Sequence, residues 1–282
     1  MTTVIVGIGY TGRRLLERLP QDAGKLGFSR TPGNGALSFD LDRNDTLPTA
    51  LPEAYSLVYT VPPARTNPDL PDPRLERLLP LLSPPPSRFV YLSTTGVYGN
   101  HDGRVVTEDT PVNPMSDRAR RRVAAERLLT AWCGQNRVDL VILRVPGIYG
   151  PGRLGIERIS QGIPVLDEAS ANPGNRIHVD DLVNTCIAAL STKTPAGIYN
   201  LGDGDERSST WFANEVARQL GLPAPPTVSR KQAEATFSPT RLSFLSESRR
   251  VDTSRMRKVL GITPHYKDAA EGIRASLADE QR

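Results

Sequence analysis

The chain has 282 residues, 35 Lys and Arg against 31 Asp and Glu, and a net charge of +4, which is long enough to predict two domains and too evenly charged for a nucleic-acid surface. Its arginines are scattered without an aromatic-and-basic stripe, so the mild positive excess suits anionic small molecules or nothing specific. No stretch reaches the ~18 apolar residues of a membrane span, the start MTTVIVGIGY lacks a signal-peptide pattern, and Cys133 and Cys186 lie far apart, so the expectation is a cytoplasmic protein with buried thiols, no nucleic-acid partner and no membrane partner.

In chain order, TTVIVGIG is a short β-branched run ending in glycines, and YTGRRLLERLP follows with apolar positions at helical spacing until a proline. Further strands are predicted at LGFS, SLVYTV, RFVYLST and LVILRV, with crossover helices around DPRLERLLPLL and from Asp117 to Gln135. Strands alternating with helices predict an α/β protein with a parallel sheet and helices on both faces. After Gly150 the pattern loosens. STWFANEVARQLG and TSRMRKVLG then return as amphipathic helices, each followed by glycine, and LPAPP reads as a stiff connection.

Gly7, Gly9 and Gly12 form G-x-G-x-x-G directly between the first strand and the first helix. In that position Gly7 permits the tight turn, Gly9 lets a pyrophosphate approach the backbone, and Gly12 allows close helix packing, with Tyr10 and Thr11 at the positive helix N-terminus. Elsewhere the same pattern is only a glycine-rich turn. The second strand ends in GFSRTPG, with Ser29 and Arg30 where NAD-specific sites carry an acid. Arg30 suits the 2′-phosphate of NADP, so NADP(H) is favoured over NAD(H); the alternative is an exposed loop arginine.

YLSTTGVYG, EDTPVNP, LRVPGIYGPGR, NRIHVDDLV and GIYNLGDGD, in this order, resemble the successive landmarks of the extended short-chain dehydrogenase/reductases, the NAD-dependent epimerase/dehydratase family, over essentially the whole chain. The resemblance implies a doubly wound Rossmann domain over 1–150 and a smaller C-terminal substrate lobe over 151–282, with about 177–220 returning to the first domain. It also implies hydride chemistry on a small substrate such as a nucleotide sugar, and a possible homodimer. Carried over by position, Thr94 matches the catalytic Ser or Thr, Asp40 and Leu41 match residues that meet the adenine, and Val61, Pro62 and Pro146 match the cofactor wall.

The family's Tyr-x-x-x-Lys falls on Arg118 and Arg122, counting back from Glu126, and none of the eight tyrosines has a lysine four residues later. In this the chain resembles the family's atypical YeeZ-like branch, which lacks the active-site tyrosine. An arginine stays protonated and cannot act as the base, but it can clamp an anion or stabilise negative charge on oxygen. Arg118 and Arg122 are one turn apart and are expected to share a face toward the cleft. The alternative is that all four arginines of RARRR solvate the helix, with Asp117 as its cap.

By the same resemblance Tyr98, Arg153, Arg176 and His178 are candidates for the substrate side, with Tyr98, water or the substrate itself open as proton donor; His178 would otherwise order a loop, and packing is the other reading of Tyr98, as it is of Tyr149. No spacing suggests a metal. The predicted activity is an oxidoreductase or epimerase acting on a small anionic substrate, with Thr94, Arg118 and Arg122 as the catalytic candidates. The alternative is a non-catalytic NADP(H)-binding redox sensor.

Overall fold

The computed structural model describes residues 2–31, 33, 35–43 and 45–280, the side chains of residues 240 and 244 excepted. Its centre is a sheet of seven strands: β1 (Thr2–Val6), β2 (Lys25–Ser29), β3 (Ala36–Ser38), β4 (Tyr55–Tyr59), β5 (Arg88–Thr94), β6 (Asp139–Val145) and β7 (Gly197–Asn200). They lie in the order β7-β6-β5-β4-β1-β2-β3, and every pairing is parallel. Val4, for example, pairs with Leu26 on one side and Leu57 on the other.

The two-residue period of the strands sends alternate side chains to opposite layers. Ile5, Val58 and Val90 pack beneath α1 (Tyr10–Arg18) and the helix Val179–Leu190, against Leu15, Leu182 and Cys186. Val4, Val6, Leu57 and Tyr91 pack on the other face beneath α2 (Pro73–Leu78) and α3 (Asp117–Asn136), against Leu75, Leu129 and Cys133. Covered on both faces, the sheet is the doubly wound α/β arrangement that the alternation predicted. Cys133 and Cys186 therefore sit in opposite layers, buried and unpaired, and burial pushes both thiols up to about 12.

The later part of the chain divides between two clusters. Helix Val179–Leu190 and strand β7 join the main sheet, whereas helices Ile156–Ser160, Ser209–Leu220 and Ala269–Glu280 contribute to a smaller apolar cluster around Tyr149, Leu154, Ile159, Val216 and Ile273. The predicted helix over 209–221 thus belongs with the smaller cluster. Among the described residues no helix is long and apolar enough to cross a membrane.

Candidate functional site

The chain runs from β1 to β2 and β3 on one side, then crosses back to β4 on the other, so a crevice opens at the carboxyl ends of β1 and β4. A cavity of about 810 Å³ occupies this place. Its wall includes Gly7, Gly9, Tyr10 and Thr11 from the first loop, Ser29, Arg30 and Thr31 after β2, and Asp40, Leu41 and Asp42 after β3. Val61 and Pro62 after β4, Ser93 at the end of β5, and Arg74, Arg122 and Arg153 complete its polar rim.

The three glycines of the loop have separate reasons to be glycine. Gly7 has φ +102°, and a Cβ there would stand 2.6 Å from the Thr60 hydroxyl. A Cβ on Gly12 would stand 2.0 Å from the Gly7 carbonyl oxygen, so α1 lies directly against the loop. A Cβ on Gly9 would meet nothing within 4 Å. Gly9 caps α1 without any side-chain hydrogen bond, which leaves the first amides of the helix facing the cavity as a ready anion site. Space beside Gly9 and unpaired amides are what a pyrophosphate requires, so the loop fits a dinucleotide.

At the adenosine end Arg30 is exposed on the cavity wall. Asp42, which lines the cavity with Asp40, is gripped by Arg74 through two hydrogen bonds of 2.7 and 2.6 Å, and this holds its carboxyl below the usual carboxylate range. Arg74 also donates to the Pro62 carbonyl at 3.0 Å, tying the loop after β4 to the loop after β3. The sequence gives no sign of this residue's part in the site, because Arg74 and Asp42 meet only through the fold. Asp40 accepts from the Asp42 amide at 3.0 Å. Pro146 follows Val145, which lines the cavity, but is not itself part of the wall.

At the other end the four clustered arginines go to four different places. Arg120 pairs with Asp117 at 2.6 Å, and Arg121 donates to the Thr66 carbonyl at 3.0 Å. Arg122 donates to the Leu92 carbonyl at 2.7 Å and the Tyr91 hydroxyl at 3.0 Å, and it lines the cavity. Arg118 lies off the cavity wall; the charges around it are Glu247, Arg121 and Arg249. The expected common face of Arg118 and Arg122 is therefore split between two environments. The cap of α3 also differs from expectation: Ser116, not Asp117, accepts from the Ala119 amide, at 3.4 Å.

Thr94 caps the turn Thr95–Tyr98, its oxygen accepting from the Gly96 amide at 3.1 Å, and it too lies off the cavity wall; its neighbour Ser93 is on it. Ser93 donates to Glu126 at 2.5 Å, and Glu126 accepts from Arg144 at 2.8 Å. Arg144 in turn donates to the Tyr98 hydroxyl at 2.9 Å, which donates to Asn200 at 2.7 Å. Tyr98 is fully buried in this network, which places it in the interior and not at the cavity.

Arg176 and His178 are also interior. Arg176 stacks against Phe212 at 5.1 Å and donates to the carbonyls of Arg207 and Ser208. His178 caps helix Val179–Leu190, its Nδ1 accepting from the Asp180 amide at 3.2 Å. Ser276 donates to the Gly272 carbonyl at 2.6 Å, so the 3.2 Å contact between Ser276 and His178 Nε2 assigns the proton to Nε2. Burial holds this imidazole below its ordinary pKa, with Asp180 and Asp181 opposing. Arg153, expected on the substrate side, lines the main cavity instead and lies 3.9 Å from the centre of the Tyr10 ring.

A second cavity of about 210 Å³ lies in the smaller cluster, lined by Leu166, Phe212 and Phe237 with Arg158 and Arg241. Among the described residues no group of three His, Cys, Asp or Glu is placed to hold a metal ion.

A parallel doubly wound sheet with a glycine loop, open helix N-terminus and cavity at its switch point defines a dinucleotide-binding α/β protein. Comparison with known sequences sharpens this: the model of the NAD dependent epimerase/dehydratase family matches residues 76–202. Protein YeeZ of Escherichia coli K12 is 28% identical over 249 residues, covering 78% of this chain and 84% of its own. UDP-glucose 4-epimerase of Mycolicibacterium smegmatis is 29% identical over 198 residues, covering 66% of this chain but 60% of that enzyme. A solved structure described as a functionally unknown conserved protein from Silicibacter pomeroyi DSS superposes with a TM-score of 0.83 at 31% identity, covering 100% of this chain and 99% of that one. The chain belongs to the NAD-dependent epimerase/dehydratase family.

Proposed function

We propose that the protein is an NADP(H)-dependent oxidoreductase or epimerase-type enzyme acting on a small anionic substrate such as a nucleotide sugar. The observation that carries this reading is the 810 Å³ cavity, which has open space at Gly9 and an uncapped helix N-terminus in its middle, Arg30 at one end and Arg122 at the other. The α1 amides would hold the pyrophosphate, Asp40 and Leu41 the adenine, and Val61 and Pro62 the facing wall. Ser29, Arg30 and Thr31 supply a cation and hydroxyls where a 2′-phosphate would lie, while the nearby carboxylate of Asp42 is already taken by Arg74. That arrangement favours NADP(H) over NAD(H).

When bound, the nicotinamide group supplies hydride transfer. Arg122 is fixed by the Leu92 carbonyl and keeps a permanent positive charge on the cavity wall beside Ser93. It serves to orient a ligand and to stabilise negative charge developing on an oxygen, not to remove a proton. Thr94 accepts from the Gly96 amide off the cavity wall, so its part is to shape the turn Thr95–Tyr98 that follows Ser93, which is on the wall.

The test is NADPH oxidation and NADP⁺ reduction by the purified protein across nucleotide sugars, keto acids and quinones. Turnover of an anionic member supports the enzyme. One observation favours a second reading, a cofactor-binding redox sensor: the position of the family's tyrosine carries Arg118, which faces Glu247 and lies off the cavity wall. Tight NADPH binding with no turnover anywhere in the panel supports the sensor.

A further inference from the structure

We propose that Arg153 is a phosphate ligand of the dinucleotide, delivered to the cofactor loop from the far side of the site by the ring of Tyr10. The proposal rests on the dinucleotide reading of the main cavity. Arg153 closes a tight turn after the strand Gly147–Tyr149, its amide donating to the Gly150 carbonyl at 2.9 Å. Tyr10, the first residue of α1, donates its hydroxyl to the Pro151 carbonyl of this turn at 2.9 Å. A Cβ on Gly150 would lie 2.7 Å from that hydroxyl, so the tie depends on glycine there. The far side of the turn is held by the Gly152 amide, which donates to Glu280 at 2.5 Å.

The Arg153 guanidinium lies 3.9 Å from the Tyr10 ring centre and that of Arg14 4.8 Å, so the ring at the head of α1 carries two cations. Of the cavity's arginines, Arg74 is held by Asp42 and the Pro62 carbonyl, and Arg122 by Tyr91 and the Leu92 carbonyl. Among the described residues no carboxylate forms an ion pair with Arg153. Its charge and fork of donors stand beside the open α1 amides, on the wall of the same cavity. An anion bound at those amides is the group that satisfies both. Tyr10 is then a positioning residue: its hydroxyl fixes the turn and its ring fixes the guanidinium.

Binding to the full-length protein decides this, with NADPH, ADP-ribose (a pyrophosphate without nicotinamide) and adenosine 2′-monophosphate (no pyrophosphate) as probes. Arg153→Gln is expected to weaken NADPH and ADP-ribose by about tenfold or more, as loss of a charge-assisted contact does, and to make their affinity less salt-dependent. Adenosine 2′-monophosphate is expected to bind as before, and Arg153→Lys to recover part of the loss. Tyr10→Leu is expected to follow Arg153→Gln. An ADP-ribose affinity within twofold of wild type in Arg153→Gln overturns the proposal, as does an equal loss for all three probes. Failure of the wild type to bind NADPH or ADP-ribose at all overturns the dinucleotide reading itself, which is a separate result.

Discussion

Asp203 gives the fold a pH dependence that reaches the neutral range. It follows β7, is buried, and accepts from the Asp205 amide at 2.9 Å through one oxygen while the other has no partner. Burial raises its pKa to about 7, with the Asp205 amide and Arg176 opposing. The unfolded chain releases this proton near pH 3.9. Between the two values the folded state holds more protons than the unfolded one, so stability falls as pH rises through the window and the penalty is complete above about pH 7. A difference of that size corresponds to about 4 kcal/mol. Asn at 203 keeps the acceptor for the Asp205 amide and removes the charge. Asp203→Asn is therefore expected to raise Tm at pH 8 by on the order of 10 °C relative to wild type, and to change little at pH 4. Thermal melts of both proteins in half-unit steps from pH 4 to 8 check this. A difference in Tm that stays constant across the range refutes the reasoning, because it removes the ionisation of Asp203 as the cause.

The cofactor loop gives a paired test. Gly9→Ala adds a methyl group to open space and is expected to leave Tm within about 2 °C of wild type while abolishing most NADPH binding, whereas Gly12→Ala meets the Gly7 carbonyl and is expected to lower Tm as well. The buried pair of Glu126 and Arg144 sits at 2.8 Å with both side chains almost wholly enclosed. Arg144→Met leaves that carboxylate without its counter-charge and is expected to cost about 3–5 kcal/mol in urea unfolding, while the double change Glu126→Gln with Arg144→Met recovers at least half. A single variant within 1 kcal/mol of wild type would contradict the role given to this pair.

Much of the sheet was legible because its signal is local. The short apolar runs in TTVIV and RFVYLST mark strands buried on both faces, and the glycine spacing at 7, 9 and 12 carries the turn, the approach and the packing in one short segment. Strand β3 was not legible: Ala36–Ser38 is three residues long and its side chains are mostly exposed, so no apolar period develops. β7 and the helix Val179–Leu190 appeared only as motif landmarks, since their place in the main sheet depends on a return of the chain that no local pattern states.

The site was less legible than the fold for the same reason. Helical spacing sets Arg118 and Arg122 one turn apart on α3, but it cannot say what stands opposite each of them. The segment 247–249 lies near the head of the helix: the Ser248 amide donates to Asn100, and Arg249 donates to the Gly99 carbonyl at 2.6 Å. One turn of about 5.4 Å is enough to move from that segment to the cavity wall. Arg153 shows the converse. Its motif suggested the substrate side, and only the Tyr10 ring, 143 positions earlier in the chain, brings it to the cofactor loop.

On the reading proposed above, the switch-point cavity takes a nicotinamide dinucleotide with its 2′-phosphate at Arg30. Equilibrium titration of wild type and Arg30→Ala with NADPH and NADH tests it most directly. Wild type is expected to bind NADPH more tightly than NADH by about tenfold or more, and Arg30→Ala to lose that difference with NADH affinity little changed. An unaltered preference in the variant, or no binding of either nucleotide by wild type, would contradict it.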